Sequence, residues 1–272
     1  MRPPRPVVAL LTDFGDQDHY AGAVRGAVLS TCPEATVVDV CHELPPHDIQ
    51  VAAFALAAAH RAFPPRTVFV AVVDPGVGSV RRGLALEAGG YTFVGPDNGI
   101  FSFVLAEYAA PRIRLLANER LFRPEVSPTF HARDVFGPVA GHLAAGVPLD
   151  EVGPQVDDPI VLPPTEVRRT GDRQWQGEVI HVDRFGNLTT NVSRRELEAI
   201  LATADDNPSA LVVLVEDRFM PLAHTYADLP EGEACALMGS SGYLEIAVHR
   251  GSAAHVLGAT RGTPVVLRTV EL

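Results

Sequence analysis

VFVAVVDPGVGSVRRG, residues 68–83, decides how the chain is read. Its first six residues are apolar and mostly β-branched or aromatic, and an Asp-Pro-Gly turn ends the run. This pattern predicts a buried strand that delivers a carboxylate, Asp74, at its C-terminal end. Arg81 stands seven positions further on, past Gly76 and Gly78, whose permissive backbones let the loop fold tightly and bring the cation back beside the acid. Opposite charges at the mouth of a strand point to a site.

Pro6 to Leu11 is a second apolar run, and it hands Asp13 to the loop beyond it. From Asp18 to Ser30, Tyr20, Ala21, Val24, Ala27 and Val28 recur at helical spacing, with Asp18 placed to cap the first turn. A strand from Thr36 to Val40 and an Ala-rich helix from Asp48 to about Phe63 complete a β-α-β-α-β order. That order predicts a mostly parallel sheet covered by helices, with ligands bound beyond the carboxyl ends of its strands. Asp13 and Asp74 both fall there. Leu84 to Glu87 and Tyr91 to Val94 read as a hairpin ending in the turn Gly95-Pro96-Asp97-Asn98-Gly99. Helices follow at about 100–108 and 135–145, the second preceded by a loop that carries His131.

Pro148 to Thr170, with five prolines, reads as a link, so the expected organisation is an N-terminal α/β domain over 1–160 and a smaller C-terminal β-barrel domain over 161–272. The strands expected beyond the link are 177–182, 187–191, 210–216, 233–237, 243–248 and 265–269. One helix interrupts them, from the capping box Ser193-Arg194-Arg195-Glu196 to about Thr203.

Composition narrows the function classes. Apolar residues make up 47% and charged residues 20%, so the chain folds as an ordinary globular protein. A formal charge of −11 with scattered arginines argues against nucleic-acid binding and suits a cationic or neutral small substrate. Cys32, Cys41 and Cys235 are odd in number and stand at no metal-like spacing, which fits free thiols in the cytoplasm. No run approaches the roughly 20 apolar residues of a membrane span. The pairs His131 with Asp134 and His181 with Asp183 lack a third ligand, so no metal is expected.

Asp13, Asp74, Arg81 and His131 are therefore the candidate reactive group. Each has a plain alternative: a helix cap for Asp13, a turn for Asp74, a solvated pair for Arg81 with Arg82, and an ordinary loop histidine for His131. The loops Asp183-Arg184-Phe185-Gly186-Asn187 and Gly239-Ser240-Ser241-Gly242-Tyr243 offer polar side chains and free amides to a small ligand, or serve only as hairpin turns.

LLTDFGDQDHYAGAVRG, VVDPGVGSVRRG, FVGPDNG, TFHARD, VDRFGNLTTN and GSSGYLEIAVHRGSAA together resemble the S-adenosyl-L-methionine (SAM) hydroxide adenosyltransferase family, related to the fluorinases and chlorinases. The resemblance implies a homotrimer with SAM held between the N-terminal domain of one subunit and the C-terminal domain of the next. It also implies a catalytic Asp74, Arg81 and His131, in which Arg81 with His131 polarises a water held by Asp74. Asp13 would hold the ribose hydroxyls, Asp183 the methionine amino group, Asn187 the adenine edge and Ser240 the methionine end, with Arg250 near the adenine. SAM is then substrate and no cofactor is expected. The halogenating relatives carry Tyr where this chain has Asp74, which points to water as nucleophile and to adenosine and L-methionine as products. The alternatives are a halogenase of the same fold, a SAM or adenosine sensor without turnover, and an enzyme that accepts adenosine only.

Overall fold

The apolar run that begins at Val68 is an interior strand of a six-stranded sheet, in a computed structural model that describes residues 5–204 and 207–270. The chain divides into two compact units between Leu162 and Pro163. In the first, β1 (Val7–Thr12), α1 (Tyr20–Thr31), β2 (Thr36–Cys41), α2 (Ile49–Ala59) and β3 (Val68–Val72) follow the expected alternation. β4 (Gly83–Ala88), β5 (Tyr91–Pro96), α3 (Ser102–Glu107), β6 (Arg112–Leu115) and α4 (Gly137–Ala144) complete it. The sheet order is β2-β1-β3-β5-β4-β6. β2, β1, β3 and β5 run parallel, and β4 pairs antiparallel with β5 and β6.

β3 is apolar throughout because both its faces are covered. Val68, Val70 and Val72 pack with Val24 and Val28 of α1 and Val139 of α4. Phe69, Ala71 and Val73 pack on the other face with Val51 and Leu56 of α2 and Val104 of α3. Each fully buried side chain of this size contributes about 1.5–3 kcal/mol. The strand is thereby held rigidly enough to aim whatever follows its last residue.

Two local expectations are corrected. α1 begins at Tyr20 with His19 at its N-cap and no side-chain cap bond, so Asp18 does not cap it; Asp48 does cap α2, accepting from Val51 N at 3.1 Å. The proline-rich stretch is not all linker. Leu149, Val152 and Val156 are buried in the first unit, Val156 N donates to Ile113 O at 3.1 Å, and Leu162 N donates to the Ser102 hydroxyl at 2.8 Å. Proline removes a backbone donor but leaves the carbonyl, and Pro154 O accepts from Leu115 N at 2.9 Å.

The second unit is an antiparallel sheet formed by β7 (Arg168–Gly171), β8 (Gln174–Val182), β9 (Leu188–Ser193), β10 (Leu211–Val215), β11 (Arg218–Pro221), β12 (Ala234–Met238), β13 (Tyr243–Val248) and β14 (Pro264–Thr269). The order is β11-β10-β14-β8-β9-β13-β12, with β7 on β8. A bridge between Leu222 and Ala236 brings the two ends together, so the sheet is a nearly closed barrel. α5 (Arg194–Leu201) carries the expected capping box, and a second helix, α6 (Ala253–Leu257), was not foreseen. At five residues it is too short to show a period. Among the described residues no helix is long and apolar enough to cross a membrane.

Gly95 lies within β5 rather than in the turn that follows it, and a Cβ there would stand 2.2 Å from the Ala71 carbonyl of β3 and 3.2 Å from the Phe101 ring. A backbone carbonyl inside a sheet cannot yield. Gly95→Ala is expected to cost about 1–3 kcal/mol, read as a fall of several degrees in the calorimetric melting temperature; an unchanged midpoint would show that the two strands can separate.

Candidate active site

Asp74 follows β3 by two residues and Arg81 precedes β4 by two, so the connecting loop sets their separation. Within it, Val77 N donates to Asp74 O at 3.2 Å and Ser79 N to Gly76 O at 3.1 Å. Gly78 has φ +77°, and a Cβ on it would lie 2.2 Å from the Pro128 carbonyl. Only glycine permits that approach, which seats the loop against the segment leading to His131.

Arg81 Nε donates to both Asp74 carboxylate oxygens, at 2.9 and 3.0 Å, and Nη2 forms a further short bond to Oδ2. The same Nη2 stands 2.9 Å from His131 Nδ1, while Nη1 reaches the Arg82 carbonyl at 3.4 Å. The guanidinium carbon lies 5.0 Å from the centre of the Phe136 ring. The side chains of Arg81 and Asp74 are 12% and 6% exposed, so water screens the pair little.

This geometry assigns the tautomer of His131. Arginine has only donors, so Nδ1 must accept and the ring hydrogen sits on Nε2. Burial, then the Arg81 charge, lower the His131 pKa below its ordinary value, outweighing the opposite pull of Asp74 and Asp134. The imidazole is therefore neutral at pH 7. His131 is the N-cap of a π-helical turn, Ala132–Phe136, that leads into α4, an irregularity common at functional sites. Asp134 within that turn is fully buried. Burial raises its pKa, but Arg133 at 2.7 Å, the Ser127 amide at 2.9 Å and Arg123 bring it below the ordinary value. It holds the loop and is not a free ligand.

Asp13, Asp74 and His131 line one cavity of about 330 Å³ at the carboxyl ends of β1 and β3. Asp13 Oδ2 accepts from His47 N at 2.8 Å. Arg81 does not line this cavity; with His131 it lines a second one of about 460 Å³. The cavity lined by Asp13 and Asp74 also has an aromatic wall that the sequence does not reveal. Tyr20 meets Phe130 edge-on at 5.2 Å between ring centres, and Phe14 stands 5.9 Å from Phe130. The sequence offers one hint, adjacency: Phe14 and Phe130 each adjoin a residue of the reactive group.

In the second unit, Asp183 is bound within its own loop. Its Oδ1 accepts from Phe185 N at 2.9 Å and Asn187 N at 2.8 Å, and its Oδ2 from Asn187 Nδ2 at 3.0 Å. Ser240 is exposed at the turn after β12, and Arg250, at φ +54°, pairs with Glu231 at 3.2 Å on the surface. Glu245, also missed, is buried and accepts from the Tyr226 hydroxyl at 2.7 Å. Burial, and to a smaller degree Asp183, raise its pKa against the pull of Tyr226. Burial and Glu245 together push the Tyr226 phenol up to about 12. No group of three His, Cys, Asp or Glu that could hold a metal occurs among the described residues, and the three cysteines are free.

A cavity open at the carboxyl ends of parallel strands, walled by aromatic rings and one charged cluster, is the mark of an α/β enzyme acting on a small organic molecule. Comparison with known proteins makes the class specific. The SAM hydroxide adenosyltransferase N-terminal domain matches residues 8–153 and the C-terminal domain of that family matches residues 177–266, and the chain belongs to this family. It is 39% identical to the (R)-S-adenosyl-L-methionine hydrolase of Thermus thermophilus, over 97% of this chain and 99% of that protein. It is 29% identical to the fluorinase of Nocardia brasiliensis, over 97% of each. The crystal structure of an uncharacterised conserved protein from Thermotoga maritima superposes with a TM-score of 0.89 at 35% identity, covering 96% of this chain and 99% of that one.

The lowered pKa of His131 has a signed consequence. The folded ring resists protonation more than the unfolded one, so stability falls as pH drops through the unfolded value of about 6.5. NMR titration should show His131 titrating below that value, and Arg81→Met should raise it by removing the cation and freeing the Asp74 charge. A His131 that titrates normally and ignores the substitution would contradict the arrangement.

Proposed function

We propose that the protein hydrolyses S-adenosyl-L-methionine to adenosine and L-methionine, by attack of water at C5′ with the Asp74, Arg81 and His131 cluster in charge of the nucleophile. The observation that carries this reading is a buried carboxylate, Asp74, fixed by Arg81 in the wall of the cavity. SAM arrives with its leaving group activated, because the sulfonium departs as a neutral thioether and needs no acid. What it lacks is an oriented nucleophile. A water that donates to Asp74 and accepts from the Nε2 hydrogen of His131 has its remaining lone pair free for C5′, and holding it in line removes most of the orientational cost.

In this reading Arg81 also orients the other two, because it donates to Asp74, His131 and a backbone carbonyl. As the C5′–O bond forms, the C5′–S pair goes to sulfur and the attacking oxygen becomes an oxonium. An oxonium is a far stronger acid than a carboxyl group, so Asp74 accepts its proton and passes it to solvent. The halogenase alternative is disfavoured because Asp74 puts a carboxylate where the resemblance gives the halogenating relatives Tyr, and a carboxylate repels a halide even though the paired Arg81 offsets part of that repulsion.

The family resemblance supplies the rest of the proposal. Asp13 holds the ribose hydroxyls, Asp183 the methionine ammonium, Asn187 the adenine edge, Ser240 the methionine end, and Arg250 lies near the adenine. The acids Asp183 and Glu245, near enough for the first to act electrostatically on the second, suit an ammonium group. The assembly is a homotrimer in the cytoplasm, with each SAM between the N-terminal unit of one subunit and the C-terminal unit of its neighbour. The name of the Thermus relative specifies the (R) epimer at sulfur, which is the epimer we infer as substrate.

Incubation with SAM in ¹⁸O-labelled water should place the label on the 5′-oxygen of adenosine. Asp74→Ala and His131→Ala should each lower kcat, by roughly 10²–10⁴-fold for loss of a proton-handling group, while the SAM dissociation constant changes little. Stable binding of SAM without methionine release would favour a sensor, and loss of binding in either variant would show its residue to be misassigned.

A further inference from the structure

At the end of β1 begins a chain of side chains, its first two members buried, that the reaction itself does not use. His42 Nδ1 is 2.7 Å from the Thr12 hydroxyl, and His42 Nε2 is 3.0 Å from Asp39 Oδ1. Thr12 is fully buried and His42 is 4% exposed. Asp39 is in turn gripped by Arg25, whose Nε and Nη2 donate to it at 2.9 and 2.5 Å.

The bonding pattern has one direction. A carboxylate only accepts, so His42 donates from Nε2, and in the neutral ring its Nδ1 then accepts from the Thr12 hydroxyl. The Thr12 oxygen keeps lone pairs for the Phe14 amide, which donates to it at 3.3 Å. Every polar atom then has a partner. The order threonine, histidine, aspartate resembles a nucleophile with its base, but an oxygen wholly out of solvent cannot reach a substrate. Its task is structural, and its position says what it holds.

Thr12 is the last residue of β1, immediately before Asp13 and Phe14, both of which line the cavity. His42 follows β2, where the pairing with β1 slips by one residue between Leu10 and Leu11, a bulge of the kind that re-aims the side chains after it. The two loops are then laced together. Gly15 N donates to His42 O at 2.8 Å, Asp16 N to Glu43 Oε1 at 3.0 Å, and His47 N to Asp13 Oδ2 at 2.8 Å. Of these ties only the Thr12 to His42 bond joins two buried side chains, where loss of a partner leaves a polar atom unsatisfied.

We propose that His42 and Thr12 are positioning residues for the nucleoside end of the substrate, setting the place of Asp13 and Phe14 through their buried bond and its anchor on Asp39. The proposal rests on the hydrolase reading above, in which Asp13 binds the ribose.

The test is calorimetric titration of adenosine into Thr12→Val, which keeps the shape of the side chain and removes only the hydroxyl, and into His42→Ala, each with SAM kinetics alongside. Thr12→Ser and His42→Asn retain a polar atom near the original one and serve as conservative variants. Both disruptive variants should weaken adenosine binding and raise KM on the order of tenfold, equivalent to about 1.4 kcal/mol, with kcat at saturation within about threefold of the parent on the same scale. Thr12→Ser and His42→Asn should recover most of the affinity. Folded Thr12→Val protein that binds adenosine as the parent does would overturn the proposal, as would a loss confined to kcat. If His42→Ala does not fold, the threonine pair decides alone. A parent that forms no adenosine from SAM would overturn the hydrolase reading, and the present inference with it, whereas a hydrolysing parent with indifferent variants would overturn only the inference.

Discussion

The contact on which the site depends is the guanidinium of Arg81 between Asp74 and His131. A single planar cation holds a carboxylate on one side and an imidazole nitrogen on the other, fixing the rotamer of the first and the tautomer of the second. Without it, the buried carboxylate and the half-buried imidazole would have no fixed orientation, and the carboxylate would be a costly unpaired charge. The fold is arranged around keeping that contact. β3 is clamped on both faces, Gly78 lets the 74–81 loop close on Pro128, and the π turn after His131 is pinned by Asp134.

Much of this was legible because the chemistry sits where the chain pattern changes. Asp74 ends an apolar run, Asp13 does the same in β1, and glycines mark the loop that returns Arg81. The alternation of strands and helices placed both acids at one edge of a parallel sheet. His131 was legible as a polar residue before a helix, although nothing in its spacing could show that its partner would be Arg81 at fifty residues' remove.

What escaped the sequence is what depends on three-dimensional closure. Phe14, Tyr20 and Phe130 look like ordinary core residues until the ends of β1 and the 129–131 loop meet. His42 and Thr12 stand thirty residues apart, and only a bulge in β2 turns them toward each other. In the 148–162 stretch, prolines masked a segment whose Leu149, Val152 and Val156 pack into the first unit. Asp18 has the residue type of a cap but stands one position too early, before His19, which occupies the N-cap without a side-chain bond.

Asp74 and Arg81 acting as one device can be tested against two separate contributors by a double-substitution cycle. The most direct measurement is kcat for SAM hydrolysis in Asp74→Asn, Arg81→Met and the double variant. If Arg81 acts by orienting Asp74 and His131, the double variant loses little more than the more damaged single variant. Losses that multiply would mean that Arg81 acts on the reacting atoms independently, and would contradict the clamp.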